Sequence, residues 1–223
     1  MKTIGIAICA YKGHISQLKD VLDSIEKQTK KPDNVVISCS SCTDSDIPYT
    51  PDMYSFPFRI ITHSEKKNSA QNRNCAGALV NTDIIAFFDA DDIMHPQRIE
   101  IIYKCFVMND IKIFLHNTTI DTSKAINFGN YTDYLFIINK LGRCSYGTTI
   151  LNIYMPGALI ANGHVTVAAD VLKNIQFNDT VEYYTREDTK FSTDVIVAYP
   201  NQTAYCNLIL SYYRPSGTGG YLC

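Results

Sequence analysis

Three carboxylates fall within four residues at Asp89-Ala90-Asp91-Asp92, directly after the apolar run Ile84-Ile85-Ala86-Phe87-Phe88. So close a set repels itself unless a cation joins it. If the run continues as a strand, the side-chain period of two turns Asp89 and Asp91 to the same side. Oxygen ligands of this kind suit a hard divalent ion, Mg2+ or Mn2+, and not a soft metal. An ion there would neutralise the charge that develops as a diphosphate departs. The alternative is a solvated acidic turn. The end of the most apolar strand argues against it, because α/β sheets place ligands beyond the carboxyl ends of their strands.

A second constellation, Cys39-Ser-Ser-Cys42, has CxxC spacing. A zinc site needs a second pair or a histidine at ligand spacing, and none follows. A thioredoxin-like pair would stand between the first strand and a helix, whereas this one follows a second strand and precedes a polar loop. Reduced, metal-free thiols are the expectation. Cys9, Cys75, Cys105 and Cys206 lie in apolar or small-residue runs and read as small buried hydrophobes.

The elements that must position the acids alternate along the first half. Ile4–Ile8 reads as a buried parallel strand. Ile15, Leu18, Val21, Leu22 and Ile25 recur at helical spacing, and Pro32 closes that segment. Val35–Ile37 and Phe58–Ile61 are further strands, and a small-residue helix spans about Ser69 to Val80. Ile84–Phe88 is the clearest strand. Pro96 suits a first helical turn, and Ile99, Ile102, Tyr103 and Phe106 give the helix an apolar face. Ile111–Leu115 is another strand. Such alternation predicts an α/β fold, Rossmann-like, with a mostly parallel central sheet.

The second half is less regular. Asn117–Met155 is an Asn-, Thr-, Tyr- and Gly-rich excursion. Val165–Val167 is a strand, Thr185 is placed to cap a helix through Phe191 to Ala198, and Tyr205–Tyr213 is a late strand. No repeat and no linker divides the 223 residues, so one domain is expected.

Composition excludes other classes. With 46% hydrophobic residues, 19% charged residues and a formal net charge of -2, the chain is neither disordered nor a polyanion binder. The basic clusters at Lys27, Lys30, Lys31 and at Lys66, Lys67 read as solvated helix ends, not a nucleic-acid surface. The opening Met-Lys-Thr-Ile-Gly-Ile-Ala-Ile-Cys is too short for a signal peptide, and no run approaches transmembrane length. The expectation is a reduced, cytoplasmic, soluble protein, in which the Asn-x-Thr sequons at Asn117, Asn130, Asn178 and Asn201 carry little weight.

Taken in order, several pieces resemble the family 2 glycosyltransferases over nearly the whole chain. Ile6-Ala7-Ile8-Cys9-Ala10-Tyr11 is similar to their first strand and donor-binding turn. Asn68-Ser-Ala-Gln-Asn-Arg73-Asn74-Cys-Ala-Gly77 is similar to their asparagine- and arginine-containing helix start. Phe87-Phe88-Asp89-Ala90-Asp91-Asp92, with Pro96 and Arg98 behind it, is close to their metal motif. Gly163-His164-Val165-Thr166 and Arg186-Glu187-Asp188-Thr-Lys-Phe191 are similar to their acceptor-side strand and acid pair.

The resemblance implies a GT-A fold and a metal-dependent, inverting transfer from a nucleotide-sugar to a carbohydrate or other hydroxyl acceptor. Residues 1–116 would form the nucleotide-sugar half and 117–223 the acceptor half. Asp91 would be the principal ligand of Mn2+ or Mg2+, with Asp89 against the ribose and the metal, Asp92 in support, and Ala10, Tyr11, Arg73 and Ala90 at the nucleotide. His164 reads first as a core or loop histidine. Asp188 would be the base, and Glu187 its neighbouring acid.

One departure bears on the base. The family carries an acidic pair after its second strand, where this chain has Ser38-Cys39-Ser40-Ser41-Cys42-Thr43-Asp44. Ser40 can hydrogen-bond a base edge but offers no charged acceptor, so uridine rests on the resemblance alone.

Three rivals are weaker. A sugar-phosphate nucleotidyltransferase needs a Gly-rich basic loop after the first strand, and Cys9-Ala-Tyr-Lys-Gly13 offers one glycine and one lysine. An Asp-x-Asp phosphohydrolase would carry its motif after the first strand. A catalytically silent sugar-nucleotide-binding domain would not need both acid clusters.

Overall fold

The computed structural model describes residues 1–126, 128–138 and 162–214. Its strands are β1 Ile4–Tyr11, β2 Asn34–Ser40, β3 Phe58–His63, β4 Ile84–Asp89, β5 Ile93–Met94, β6 Ile113–Thr119, β7 Ile137–Ile138, β8 Thr166–Ala168 and β9 Thr203–Tyr212. Its α-helices are α1 Leu18–Glu26, α2 Ser69–Leu79, α3 Arg98–Met108, α4 Thr122–Ile126 and α5 Glu187–Ala198.

One sheet carries all of the strands, in the order β3-β2-β1-β4-β8-β6-β9-β5, with β7 on β9. Strands β3, β2, β1 and β4 are parallel. The short β8 runs antiparallel between β4 and β6, and β6 pairs parallel with β9. The mostly parallel α/β sheet expected from the sequence is present.

Strand β4 shows how the pattern builds the layers. Its side chains alternate between two cores: Ile84, Ala86 and Phe88 join α1 and α3, while Ile85 and Phe87 join α2 and α5. Both faces are buried, so the run is continuously apolar. Asp89 is the next residue on the α2 face. There the strand stops, and Ala90 and Asp91 form a turn. The expected alternation therefore does not extend to Asp91.

Helix α2 starts where the sequence places it. Asn68 caps it by accepting from the Gln71 N–H at 2.9 Å, and Gln71 Oε1 accepts from the Asn68 N–H at 3.1 Å, a reciprocal box that fixes the first turn. Helix α5 differs from expectation. Its first residue is Glu187, Arg186 stands at the cap position but makes no side-chain capping bond, and Thr185 is exposed outside it. Of the irregular stretch Asn117–Met155, the part after residue 138 lies outside the described residues. Among the described residues no helix is long and apolar enough to cross a membrane.

Candidate active site

Arg73 projects from α2 beneath the end of β4. Its Nη2 donates to Asp89 Oδ1 at 2.6 Å, and its Nη1 donates to Glu187 Oε1 at the start of α5. Burial works against the guanidinium charge, but Cys9, Asp89, Glu187 and Asp188 around it hold it protonated, well above its ordinary value. Burial would likewise raise the Asp89 carboxyl. Arg73, His164 and the Cys9 thiol outweigh that and lower it to about 2. Glu187 goes the other way: burial raises it, and the charge of Asp188 adds to the rise against the pull of Arg73.

The acids form two groups. Asp89 Oδ1 is occupied by Arg73 and by the Cys9 Sγ–H at 3.3 Å, and Asp92 Oδ1 accepts the Arg214 N–H at 2.7 Å. The other oxygen of each is turned toward His164 Nε2, 3.8 Å from Asp89 Oδ2 and 2.7 Å from Asp92 Oδ2. Asp92 Oδ2 and His164 Nε2 are both buried and face each other. One ligand atom from each of Asp89, Asp92 and His164 falls within 4.8 Å of the other two. Asp91 is outside this triad. Its carboxyl is pushed up to about 7 by burial first and then by the charges of Asp92 and Asp89.

Three residues make that convergence possible. Gly163 leaves room, since a Cβ there would stand 2.5 Å from Asp89 Oδ2 and 3.0 Å from Arg73 Nη2. His164 lies flat on Phe88, ring centroids 4.2 Å apart. Arg98, fully buried and with burial lowering it to about 9, donates to the Phe87 carbonyl at 3.1 Å, the His164 carbonyl at 2.9 Å and His116 Nε2 at 3.1 Å. It thereby fixes the backbone on both sides of the acids.

Asp188 is half-buried in the first turn of α5, where Oδ1 accepts the Thr189 N–H at 2.6 Å. Tyr213, at the end of β9, faces the same space. Its phenol is raised by burial and then by the charges of Asp92, Asp91, Asp89 and Asp188 together. The acids of both stretches thus act on one hydroxyl.

At the end of β1, the Tyr11 ring folds over Gly13, whose missing Cβ would lie 2.5 Å from it, and meets His14 edge-on at 4.2 Å. Ala10 and Ala90 are buried in the core, which leaves their backbone as all they can present to a ligand. The Ser40 hydroxyl is buried, accepts from Asn72 Nδ2 at 3.0 Å and donates to the Lys67 carbonyl at 3.5 Å. Cys39 and Cys42 are buried free thiols, with Cys42 Sγ donating to the Cys39 carbonyl at 3.3 Å and burial raising Cys39. Cys9, Cys105 and Cys206 are buried, whereas Cys75 is half-exposed, 3.4 Å from His63 Nε2.

His14, Ser211, Tyr213 and Arg214 were not expected as site residues. His14 Nδ1 is buried without a partner among the described residues, and burial lowers the ring against the pull of Asp89. A lone polar residue after a strand gives no periodic signal, and only the sheet pairing brings these four to the acids.

The family described as Glycosyl transferase family 2 matches residues 5–160. The chain belongs to that family, and its fold is the GT-A fold. No sequence among curated proteins matches it. Among solved structures it is similar to S. aureus TarS 1-349 in complex with UDP-GlcNAc, at 13% identity and a TM-score of 0.72 over 98% of this chain and 60% of that one. The mannosyltransferase PcManGT from Pyrobaculum calidifontis in complex with GDP-Man and Mn2+ gives 13% identity and a TM-score of 0.68 over 98% of this chain and 59% of that one. Glucosyl-3-phosphoglycerate synthase from Mycobacterium tuberculosis in complex with UDP gives 15% and 0.62 over 96% and 73%. The chain thus spans about three-fifths of the TarS 1-349 and PcManGT chains.

Proposed function

We propose that this chain is a metal-dependent, inverting glycosyltransferase that moves a sugar from a nucleotide-sugar, a UDP-sugar by resemblance, to an acceptor hydroxyl. The observation that carries the reading is the line Asp89–Arg73–Glu187. It ties the acid at the end of β4 to the acid pair of α5, which brings the donor-side acids and the candidate base into one neighbourhood. The complexes of TarS with UDP-GlcNAc and of PcManGT with GDP-Man and Mn2+ support the same assignment.

The donor set fits a divalent ion. Two carboxylate oxygens and one ring nitrogen converge, and each carboxylate has its other oxygen satisfied by a protein donor. Asp89, Asp92 and His164 would hold the ion, with Asp91 as the adjoining carboxylate. Once bound, the ion supplies charge neutralisation for the departing diphosphate. Two carboxylates with one nitrogen admit Mn2+ more readily than an all-oxygen set would.

The chain's own residues do the rest. Tyr11 offers a ring face to the base. Arg73 has both terminal nitrogens committed to carboxylates, so it acts by positioning Asp89 and Glu187, with Nε left for a ligand. Ser40 acts through Asn72, which it holds in place. Asp188 takes the proton of the acceptor hydroxyl as that oxygen bonds to the anomeric carbon and the bond to the diphosphate oxygen breaks. A carboxylate suffices because proton transfer comes late, when the carbon has oxocarbenium character. One displacement inverts the centre. The first half of the chain is assigned to the donor and the second to the acceptor.

The test is a melting-temperature screen of nucleotide-sugars with Mn2+, followed by NMR of the product's anomeric proton. A ligand at a hundred times its dissociation constant adds about 2.7 kcal/mol. Stabilisation by one nucleotide-sugar class and an inverted product are expected. A retained anomer, or no stabilisation across the panel, overturns the assignment.

A further inference from the structure

Behind His164 two hydroxyls form a chain that leads away from the acids. His164 Nδ1 lies 2.8 Å from Ser211 Oγ on β9, and Ser211 Oγ lies 3.1 Å from Thr118 Oγ1 on β6. Thr118 Oγ1 in turn lies 3.0 Å from the Ser211 carbonyl. All of these side chains are buried. A carbonyl cannot donate, so the single Thr118 hydroxyl proton points to it. Toward Ser211, Thr118 can then only accept, which takes the Ser211 proton. Ser211 therefore has none left for the imidazole and must accept from Nδ1–H. The direction of every bond in the chain follows from one fixed acceptor at its end.

We infer that Thr118 and Ser211 are positioning residues that hold the His164 proton on Nδ1 and so present Nε2, with its lone pair free, to a divalent cation at Asp89 and Asp92. The inference rests on the metal reading above and adds to it the device that makes a histidine between two carboxylates a ligand. Without it the imidazole has an easier choice. With the proton on Nε2 it would donate to Asp92 Oδ2, 2.7 Å away, and close the site as an internal hydrogen bond. Outer partners that fix a ligating histidine are worth about ten- to a hundredfold in metal affinity.

Two measurements test this. Ring nitrogen NMR of 15N-histidine-labelled protein in chelator reports which nitrogen of His164 is protonated, with His164→Gln assigning the signal. A protonated Nδ1 with a bare Nε2 is expected, and a proton on Nε2, in the other tautomer or in the imidazolium, overturns the proposal. Mn2+ titration of the protein alone, followed by electron paramagnetic resonance, gives the second. Ser211→Ala and Thr118→Val should each weaken Mn2+ about tenfold or more, and Thr118→Ser should restore it. Thr118→Val is the sharper variant, because it touches neither the imidazole nor an acid yet frees the Ser211 proton to turn on Nδ1. Folded variants that bind Mn2+ as the unaltered protein does would overturn the relay and leave the metal reading standing. Absence of Mn2+ binding in the unaltered protein would instead remove the metal reading, with the ring spectrum still deciding the tautomer.

Discussion

The two walls of the acidic cleft are built in different ways. The wall made by β1, β4 and α2 draws its acids from one short run of chain, and its supports from neighbouring parallel strands. The opposite wall collects His164 from the turn before β8, Glu187 and Asp188 from the first turn of α5, and Ser211, Tyr213 and Arg214 from the end of β9. The pairing of β8 and β9 with β6 brings His164 and the β9 residues together, and Arg73 ties in Glu187. The lesson is one of division of labour. The local wall supplies two of the three converging donors at the donor site, whereas the assembled wall adds His164 and, through Asp188, carries the step that follows binding. Arg98 joins the two by holding a carbonyl of each.

The largest separation of the walls is expected from Asp188→Asn. Shape and donor contacts are kept, but the acceptor proton has nowhere to go. Turnover should fall on the order of a hundredfold or more, with nucleotide affinity near that of the unaltered enzyme. If Asp188 only stabilises the start of α5, the variant melts earlier, by a loss of roughly 0.5–2 kcal/mol, and transfers sugar at the normal rate. Rate, donor affinity and melting temperature on one preparation distinguish the two.

A change on the seam should damage both walls. Gly163→Ala drives a methyl into Asp89 and the Arg73 guanidinium, both held by ion pairs and unable to withdraw freely. Overpacking of this kind costs about 1–3 kcal/mol. Donor affinity and turnover should fall together, measured by calorimetry and transfer rate, unlike the split expected for Asp188→Asn. Unchanged donor binding would show that Asp89 has room to move.

The smallest effect isolates the donor wall through pH. Asp91 is held at about 7 by burial, Asp92 and Asp89, well above the usual carboxylate range. The folded state therefore binds this proton more tightly than the unfolded chain does. Its contribution to stability is present below the unfolded value and is lost as pH rises through about 7. In chelator, the melting temperature should decline over that range. Asp91→Asn should flatten its share of the decline, and Mn2+ should oppose it. A variant with the unaltered slope would mean that Asp91 is a solvated acid.

The same contrast explains what could be read in the sequence. Ile84–Phe88 was legible because both faces of β4 are buried and the run ends on a carboxylate, and the small-residue helix was legible because α2 packs closely on β1 and β2. The facing of Asp91 was not, because a period-two argument holds only while the strand lasts, and β4 ends at Asp89. Thr185 failed as a cap because the chain enters α5 one residue later, where Arg73 takes hold of Glu187. His164 stood in a recognisable stretch, but its meaning lies in Ser211, 47 positions away, which has no local signature.

The central claim is that the converging donors of Asp89, Asp92 and His164, with Asp91 beside them, make donor binding depend on a divalent cation. Calorimetric titration of UDP in the presence of Mn2+ and in the presence of chelator tests it most directly, with the unaltered protein and Asp92→Asn side by side. The account predicts binding with Mn2+ that is lost in chelator, and a crippled response in the variant. Equal affinity in both conditions for both proteins would contradict it.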